Sequence, residues 1–149
     1  MADLDDRYWL GQAIDLSRSS PPSTTAFSVG AIIVSPTGDV ISSGYSRETD
    51  HHDHAEEIAL AKLDPHDPRL TTATIYTSLE PCSKRASRPR TCTELILATT
   101  IPRVVLAWRE PLLFVDCEGA ELLTAAGVEV LELQDLANAA RQINAHLLR

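Results

Sequence analysis

Three short segments of the chain carry residue types that together can bind a metal ion. They are His54-Ala55-Glu56, Pro81-Cys82 and Cys92, and nine residues separate the two cysteines. One imidazole and two thiolates suit Zn²⁺ and leave the fourth tetrahedral position open for water, which is the pattern of a catalytic zinc site. Glu56 lies one helical step beyond His54, where a carboxylate can take a proton from that water and deliver it to a substrate nitrogen.

The same residues also have a purely structural interpretation. A His-x-Glu sequence is common, and two cysteines can be buried thiols or part of a closed zinc site with four protein ligands. No fourth ligand is obvious, because Cys117 lies far along the chain and the nearby imidazoles are His51, His52 and His66. The combination of the three segments therefore favours a catalytic site.

Length and charge limit the classes of partner. A chain of 149 residues with a net charge of −8 predicts one domain, residues 1–149, that binds no long nucleic acid. Four of its thirteen basic residues nevertheless fall within seven positions, and this basic loop comprises Lys84, Arg85, Arg88 and Arg90. Such a patch favours a small anionic ligand, although a solvated loop is the alternative.

The three cysteines and the apolar pattern bear on the compartment. An odd number of cysteines without a visible export signal argues against a disulfide framework. No apolar run has the length of a membrane span. We therefore expect a cytoplasmic protein that contacts no membrane.

Hydrophobic periodicity predicts the elements that position these residues. Helices are expected over 5–18, 54–63, 92–99, 119–126 and 135–148, and strands over 29–34, from 40 onward, and over 74–79, 103–108 and 128–131. This order predicts an α/β fold, a three-layer α/β/α sandwich around a mixed five-stranded sheet. Each of the three metal ligands is expected at a helix N-terminus, where the partial positive charge favours thiolate.

The motifs resemble those of a known superfamily. His54-Ala55-Glu56 and Pro81-Cys82 are similar to the His-x-Glu and Pro-Cys-x-x-Cys signature of cytidine deaminase-like zinc deaminases. The wider cysteine spacing resembles the deaminase domain of the riboflavin-biosynthesis bifunctional deaminase/reductase. Further matching segments are 29–34, 78–83, 103–107 and 122–130.

The resemblance implies a fold, a cofactor and a reaction. The fold would be cytidine deaminase-like, His54, Cys82 and Cys92 would hold zinc, and Glu56 would shuttle protons. Zinc-bound hydroxide would attack an amino-bearing ring carbon, and ammonia would leave. The backbone N–H of Cys82 would help to stabilise the developing charge. Members of the family associate as dimers or tetramers, so we expect a homodimer or homotetramer.

Three departures from the riboflavin-type pattern bear on the substrate. The reductase half is absent, Lys84-Arg85-Ala86 replaces the usual His-His-Gly in a loop one residue longer, and Ala26-Phe27-Ser28 lacks the family's substrate-binding asparagine. A site that loses such a donor should bind a differently decorated ring. These departures favour a small nucleobase or analogue that is cytosine-, guanine- or triazine-like.

Two other functions remain open at this stage. One is deamination of a riboflavin-pathway-like aminopyrimidine nucleotide, whose phosphate would contact Arg88. The other, from a different class, is a non-catalytic zinc-binding module that recruits a partner; a carboxylate at Glu56 argues against it. The candidate substrate contacts are Phe27, Ala55, Arg88 and Trp108, of which Trp108 is also a candidate core residue.

Several neighbouring residues have no assigned role. Glu57 is expected to face solvent, and Glu80 is a candidate for orienting a ligand. The roles of Cys117, His51 and His52 stay open.

Overall fold

The computed structural model describes residues 4–109 and 117–148. Within them the chain forms five α-helices: Leu4–Ser17 (α1), Ala55–Ala61 (α2), Cys92–Leu97 (α3), Gly119–Ala125 (α4) and Ala137–Ile143 (α5). The five strands are Gly30–Val34 (β1), Val40–Tyr45 (β2), Thr74–Thr77 (β3), Arg103–Leu106 (β4) and Glu129–Glu132 (β5). Short 3₁₀ helices cover Pro68–Thr72, Gln134–Leu136 and Ala145–Leu147.

The strands form one mixed sheet in the order β2-β1-β3-β4-β5. β1 is antiparallel to both β2 and β3, whereas β3, β4 and β5 are parallel to one another. The central strands β1 and β3 are almost entirely buried, because helices cover both faces of the sheet. Ligand sites in such sheets lie beyond the carboxyl ends of the parallel strands, and Cys82 follows the carboxyl end of β3.

Two glycines allow the helices to pack closely on opposite faces of the sheet. A Cβ on Gly30 would overlap the carbonyl oxygen of Ala13 in α1, and a Cβ on Gly44 would meet the carbonyl oxygen of Ala55 in α2. Gly44 pairs with Ala31, the residue after Gly30. Because successive residues of a strand face opposite sides, α1 and α2 lie on opposite faces.

The remaining helices complete the two outer layers. α5 contacts α1, while α2 contacts α3, α3 contacts α4, and α4 packs on β5. The mixed five-stranded sheet and the α/β class predicted from the sequence are therefore confirmed. None of the helices in the described residues is long and apolar enough to span a bilayer.

The last helix departs most from its predicted extent. In place of one helix over 135–148, α5 is flanked by two 3₁₀ segments. The side chain of Asn144 accepts the Ser28 N–H at 2.7 Å and donates to the Ser28 carbonyl oxygen at 3.1 Å. These tertiary hydrogen bonds hold Asn144 against the segment before β1, just where the regular helix ends. The other elements differ from their predicted bounds by a few residues at their ends.

Candidate active site

The three predicted metal ligands lie together at one end of the sheet. The Nδ1 atom of His54 is 3.5 Å from the Sγ of Cys82 and 3.4 Å from the Sγ of Cys92. Zinc–sulfur and zinc–nitrogen bonds of ordinary length at a tetrahedral angle place sulfur and nitrogen about 3.6 Å apart. The donor set and its spacing therefore fit Zn²⁺. Within the described ranges, no further His, Cys, Asp or Glu joins this group.

Different elements hold each ligand. His54 is the N-cap residue of α2, and Cys92 is the first residue of α3, whose N-cap Thr91 accepts the Glu94 N–H. Cys82 lies in the loop after β3, so the expectation that every ligand opens a helix is wrong for this residue. Its sulfur instead accepts the N–H of Cys92 at 3.2 Å. The first turn of α3 thus stabilises both thiolates.

The two sulfurs differ in their affinity for a proton. A hydrogen bond with Cys92, reinforced by one with His54, lowers the pKa of Cys82 to about 4. The same hydrogen bond and burial raise the pKa of Cys92. These surroundings favour the thiolate form of Cys82 over that of Cys92, and a bound metal would displace the remaining thiol proton.

Glu56 is a buried carboxyl group beside these ligands. It is 4% exposed. Burial, with a further contribution from the negative charge of Cys82, raises its pKa to about 7. A group that titrates near neutral pH can both take up and release a proton, which general acid–base catalysis requires.

A cavity of about 470 Å³ opens over these groups. This is within the range of small-molecule sites. Its lining includes His54, Glu56 and Cys82, and it also includes Phe27 and Ala55, two of the predicted substrate contacts. The cavity is large enough for more than a bare ring.

The other two predicted contacts, Arg88 and Trp108, are not among the residues that line the cavity. Trp108 is 5% exposed and packs edge-to-face against Phe27, with ring centroids 5.3 Å apart. The Arg141 guanidinium covers the Trp108 ring at 5.8 Å. Trp108 thus packs against Phe27 without lining the cavity itself.

Arg88 is held by carboxylates. It forms ion pairs with Asp50 at 3.3 Å, Asp53 at 3.2 Å and Glu57 at 3.1 Å. These three acceptors occupy its guanidinium, and they fasten the basic loop to the start of α2. Within the basic loop, Lys84 and Arg85 are the cations that line the cavity.

The sequence profile of the cytidine and deoxycytidylate deaminase zinc-binding region matches residues 4–108, which include all three ligands and Glu56. The chain belongs to this deaminase family. The predicted superfamily and its zinc cofactor are thereby confirmed.

This deaminase domain is similar to several named deaminases. The chain is 43% identical over 134 residues to the diaminohydroxyphosphoribosylamino-pyrimidine deaminase of Schizosaccharomyces pombe, an alignment covering 89% of the chain and 33% of that protein. It is similar in structure to the Aspergillus oryzae Rib2 deaminase, with a TM-score of 0.79, 26% identity and coverage of 93% and 89% of the two chains. Acinetobacter baumannii RibD gives a TM-score of 0.79 with 30% identity, covering 97% of this chain and 39% of the other.

The deaminase chain spans about a third of the length of the curated relatives that it matches. The assignment of residues 1–149 to a single domain stays a prediction.

Glu57 was predicted to face solvent, and this prediction is wrong. Its side chain is only 14% exposed and accepts hydrogen bonds from Arg85 at 2.8 Å and from the backbone N–H of His54 at 3.2 Å. Together with Arg88, these contacts make Glu57 the link between the basic loop and the backbone of a metal ligand. The pairing depends on how the loop folds back, which no local pattern reveals.

Other residues near the site have defined places. Glu80 lines the cavity and accepts the Ala120 N–H at the start of α4, at 2.9 Å. Cys117 donates its thiol to the Pro81 carbonyl oxygen at 3.2 Å and lies outside the metal-ligand group. His51 and His52 line the cavity.

Arg47 is a cavity-lining residue that the sequence did not predict. This residue is 9% exposed and lines the cavity. No motif in the chain marks it.

Proposed function

We propose that this chain is a zinc-dependent hydrolytic deaminase of an aminopyrimidine nucleotide, a diaminohydroxyphosphoribosylaminopyrimidine. The observation that carries the proposal is the cavity that brings a His-Cys-Cys metal site and a buried carboxyl group together. The 43% identity to the fission yeast deaminase along 89% of the chain supports this substrate class.

The lining of the cavity supports a nucleotide better than a free base. Of the lining cations in the basic loop, Arg85 is paired with Glu57, whereas Lys84 is exposed to solvent. A phosphate at the open end would meet Lys84, since charge-assisted hydrogen bonds to phosphate oxygens are among the strongest that proteins make. The sequence favoured a free nucleobase because the asparagine is missing; the relatives support the nucleotide alternative instead.

Each residue has a definite task in this reaction. When bound by His54, Cys82 and Cys92, Zn²⁺ supplies a water of lowered pKa and polarises the reacting centre. Deamination consumes one water, breaks the exocyclic C–N bond and releases one ammonia. The Glu56 carboxylate would take one proton from the water and pass it to the ring nitrogen. It would then take the second proton from the hydroxyl group added to the ring carbon and pass it to the departing amine, which leaves as ammonia.

The walls of the cavity orient the ring. Phe27, supported by Trp108, offers a flat apolar surface for an aromatic ring to stack against. Glu56, His54 and Cys82 line the same cavity, so a ring stacked on Phe27 would lie beside them.

An ammonia-release screen with the zinc-loaded protein tests the proposal. The panel contains the diaminohydroxyphosphoribosylaminopyrimidine, its dephosphorylated riboside and its free base, with cytosine, guanine and melamine as the free-base alternatives. We expect release from the nucleotide, and release slower by about 10²–10⁴-fold from the Glu56→Ala variant. Zinc binding without ammonia release from any compound would contradict the proposal and favour a non-catalytic module.

The assembly state is a separate expectation. A homodimer or homotetramer stays a prediction, and light scattering of the zinc-loaded protein measures it directly.

A further inference from the structure

Arg47 is a buried cation in the wall of the candidate active site. Its side chain lines the same cavity as Glu56 and Cys82, and only 9% of the residue is exposed. Burying a guanidinium is costly unless its charge and its donors are matched. The partners of Arg47 therefore indicate what the residue is for.

The acceptors that surround Arg47 are all uncharged. Its Nε and Nη2 donate to the Pro21 carbonyl oxygen at 2.9 and 2.8 Å, Nη1 donates to the Phe27 carbonyl oxygen at 3.2 Å, and Nη2 donates to the Ser28 Oγ at 2.8 Å. Within residues 4–109 and 117–148, no carboxylate forms an ion pair with Arg47, and four of its five N–H hydrogens account for these bonds. One Nη1 hydrogen is left for an acceptor from outside the chain.

The other arginines at the site are arranged differently. Arg85 pairs with Glu57, and Arg88 pairs with three carboxylates. Of Arg47, Arg85 and Arg88, Arg47 is the arginine without a carboxylate partner among the described residues. Burial also lowers its pKa, which is the expected electrostatic consequence.

The backbone of Arg47 has an unusual conformation. Its φ angle is +59°, in the left-handed region. A non-glycine residue in this region is strained and persists only where the surroundings fix it. The N–H of Arg47 donates to the Asp53 carbonyl oxygen at 2.9 Å, which fixes this turn just before His54. The turn directs the guanidinium toward the segment that carries Phe27.

We propose that Arg47 is a specificity-determining residue that donates a hydrogen bond to the ring hydroxy (oxo) oxygen of the pyrimidine. This inference rests on the proposed function. Burial favours the ring over the phosphate as the partner, because Arg47 and Glu56 are both buried cavity-lining residues, whereas the cavity-lining Lys84 is exposed. We therefore expect the Arg47 guanidinium, which lies next to Phe27, to contact the ring.

The test compares two substrates on the zinc-loaded enzyme. One is the diaminohydroxyphosphoribosylaminopyrimidine, and the other is the same nucleotide with hydrogen in place of the ring hydroxy group. Charge-assisted hydrogen bonds predict that the wild type prefers the first in kcat/KM by about 10- to 100-fold. In Arg47→Lys and Arg47→Gln this ratio should fall to within about threefold of unity, mainly through the first substrate.

Two further variants separate recognition from structural support. Ser28→Ala removes one acceptor of Arg47 but keeps the guanidinium, so the substrate ratio should persist. Arg69→Gln, at an exposed arginine paired with Asp67, should leave both substrates unaffected. An equal loss of kcat/KM for the two substrates in the Arg47 variants would mean that Arg47 only braces the segment 21–28, and would overturn the proposal.

A measurement on the wild-type enzyme tests the proposal even if the Arg47 variants do not fold. In crystals of the holoenzyme with the deaminated product, the ring oxygen that the substrate already carried should lie about 3 Å from a guanidinium nitrogen of Arg47. A product in which this oxygen, as distinct from the one introduced by deamination, contacts no part of Arg47 would overturn the inference. If the wild type releases no ammonia from the parent nucleotide, the proposed function itself fails; turnover without the substrate preference overturns only the role of Arg47.

Discussion

The link through Glu57 gives a quantitative prediction for stability. Its carboxylate accepts hydrogen bonds from Arg85 at 2.8 Å and from the His54 N–H at 3.2 Å, and it pairs with Arg88 at 3.1 Å. The Arg85 side chain is only 2% exposed, so its hydrogen bond to Glu57 is poorly replaced by water. Arg88 is 31% exposed, and its contribution is correspondingly small.

The expected cost of Glu57→Ala follows from these contacts. A hydrogen bond to a charged group contributes about 1.5–3 kcal/mol, and a partly exposed ion pair about 0.5 kcal/mol. Arg85 keeps the His52 carbonyl oxygen at 2.7 Å and the Ser87 Oγ at 3.1 Å, so it is not left without acceptors. We therefore expect a loss of about 2 kcal/mol in the free energy of unfolding, and about half of that for Glu57→Gln.

Urea unfolding of the zinc-loaded protein measures this loss, and a thermal scan should show Tm lower by roughly 4–8 °C. A double-mutant cycle with Arg85→Met should give a coupling energy of about 1–2 kcal/mol. Asp15→Ala, which removes an exposed pair with Arg18, is the matched control and should change stability little. A loss of stability in Glu57→Ala no larger than in the control, or an additive cycle, would show that Glu57 does not link the basic loop to α2.

The other predictions concern the metal site and its support. Glu56→Ala should keep its fold and zinc while kcat falls by about 10²–10⁴-fold; near wild-type turnover would exclude the proton shuttle. Cys92→Ala should bind much less than one zinc per chain by atomic absorption, since only two protein ligands remain; full occupancy would contradict the ligand set. Gly119→Ala should lower stability by about 1–3 kcal/mol, because its Cβ would overlap the Pro81 carbonyl oxygen; unchanged urea unfolding would show that the loop before Cys82 yields easily.

Much of the sheet was predictable because strands such as β1 and β4 are short apolar runs between turn signals. Segments such as 29–34 and 103–108 read as buried strands, and the structure places β1 and β4 inside them. The ends of the helices and strands were less predictable, since they depend on contacts between residues distant in sequence. Asn144 is the clearest case, because its side chain bonds to Ser28, 116 positions earlier.

The metal ligands were predictable for a different reason. Zinc sites use a small set of His and Cys combinations. A carboxylate two residues after the histidine, as in His54-Ala55-Glu56, can in addition transfer protons at such a site. Arg47 and Glu57 could not be found in this way, because a charged residue is common and only the folded chain shows its partners. The basic loop illustrates the limit: its charges were visible, but the acidic partners of Arg88 were not.

The proposed substrate class is tested most directly by the ratio of kcat/KM for the diaminohydroxyphosphoribosylaminopyrimidine to that for its free base, measured by ammonia release with the zinc-loaded protein. We expect the nucleotide to be preferred by more than about tenfold, equivalent to some 1.4 kcal/mol of additional transition-state binding. A free base deaminated as efficiently as the nucleotide, or more so, would contradict it.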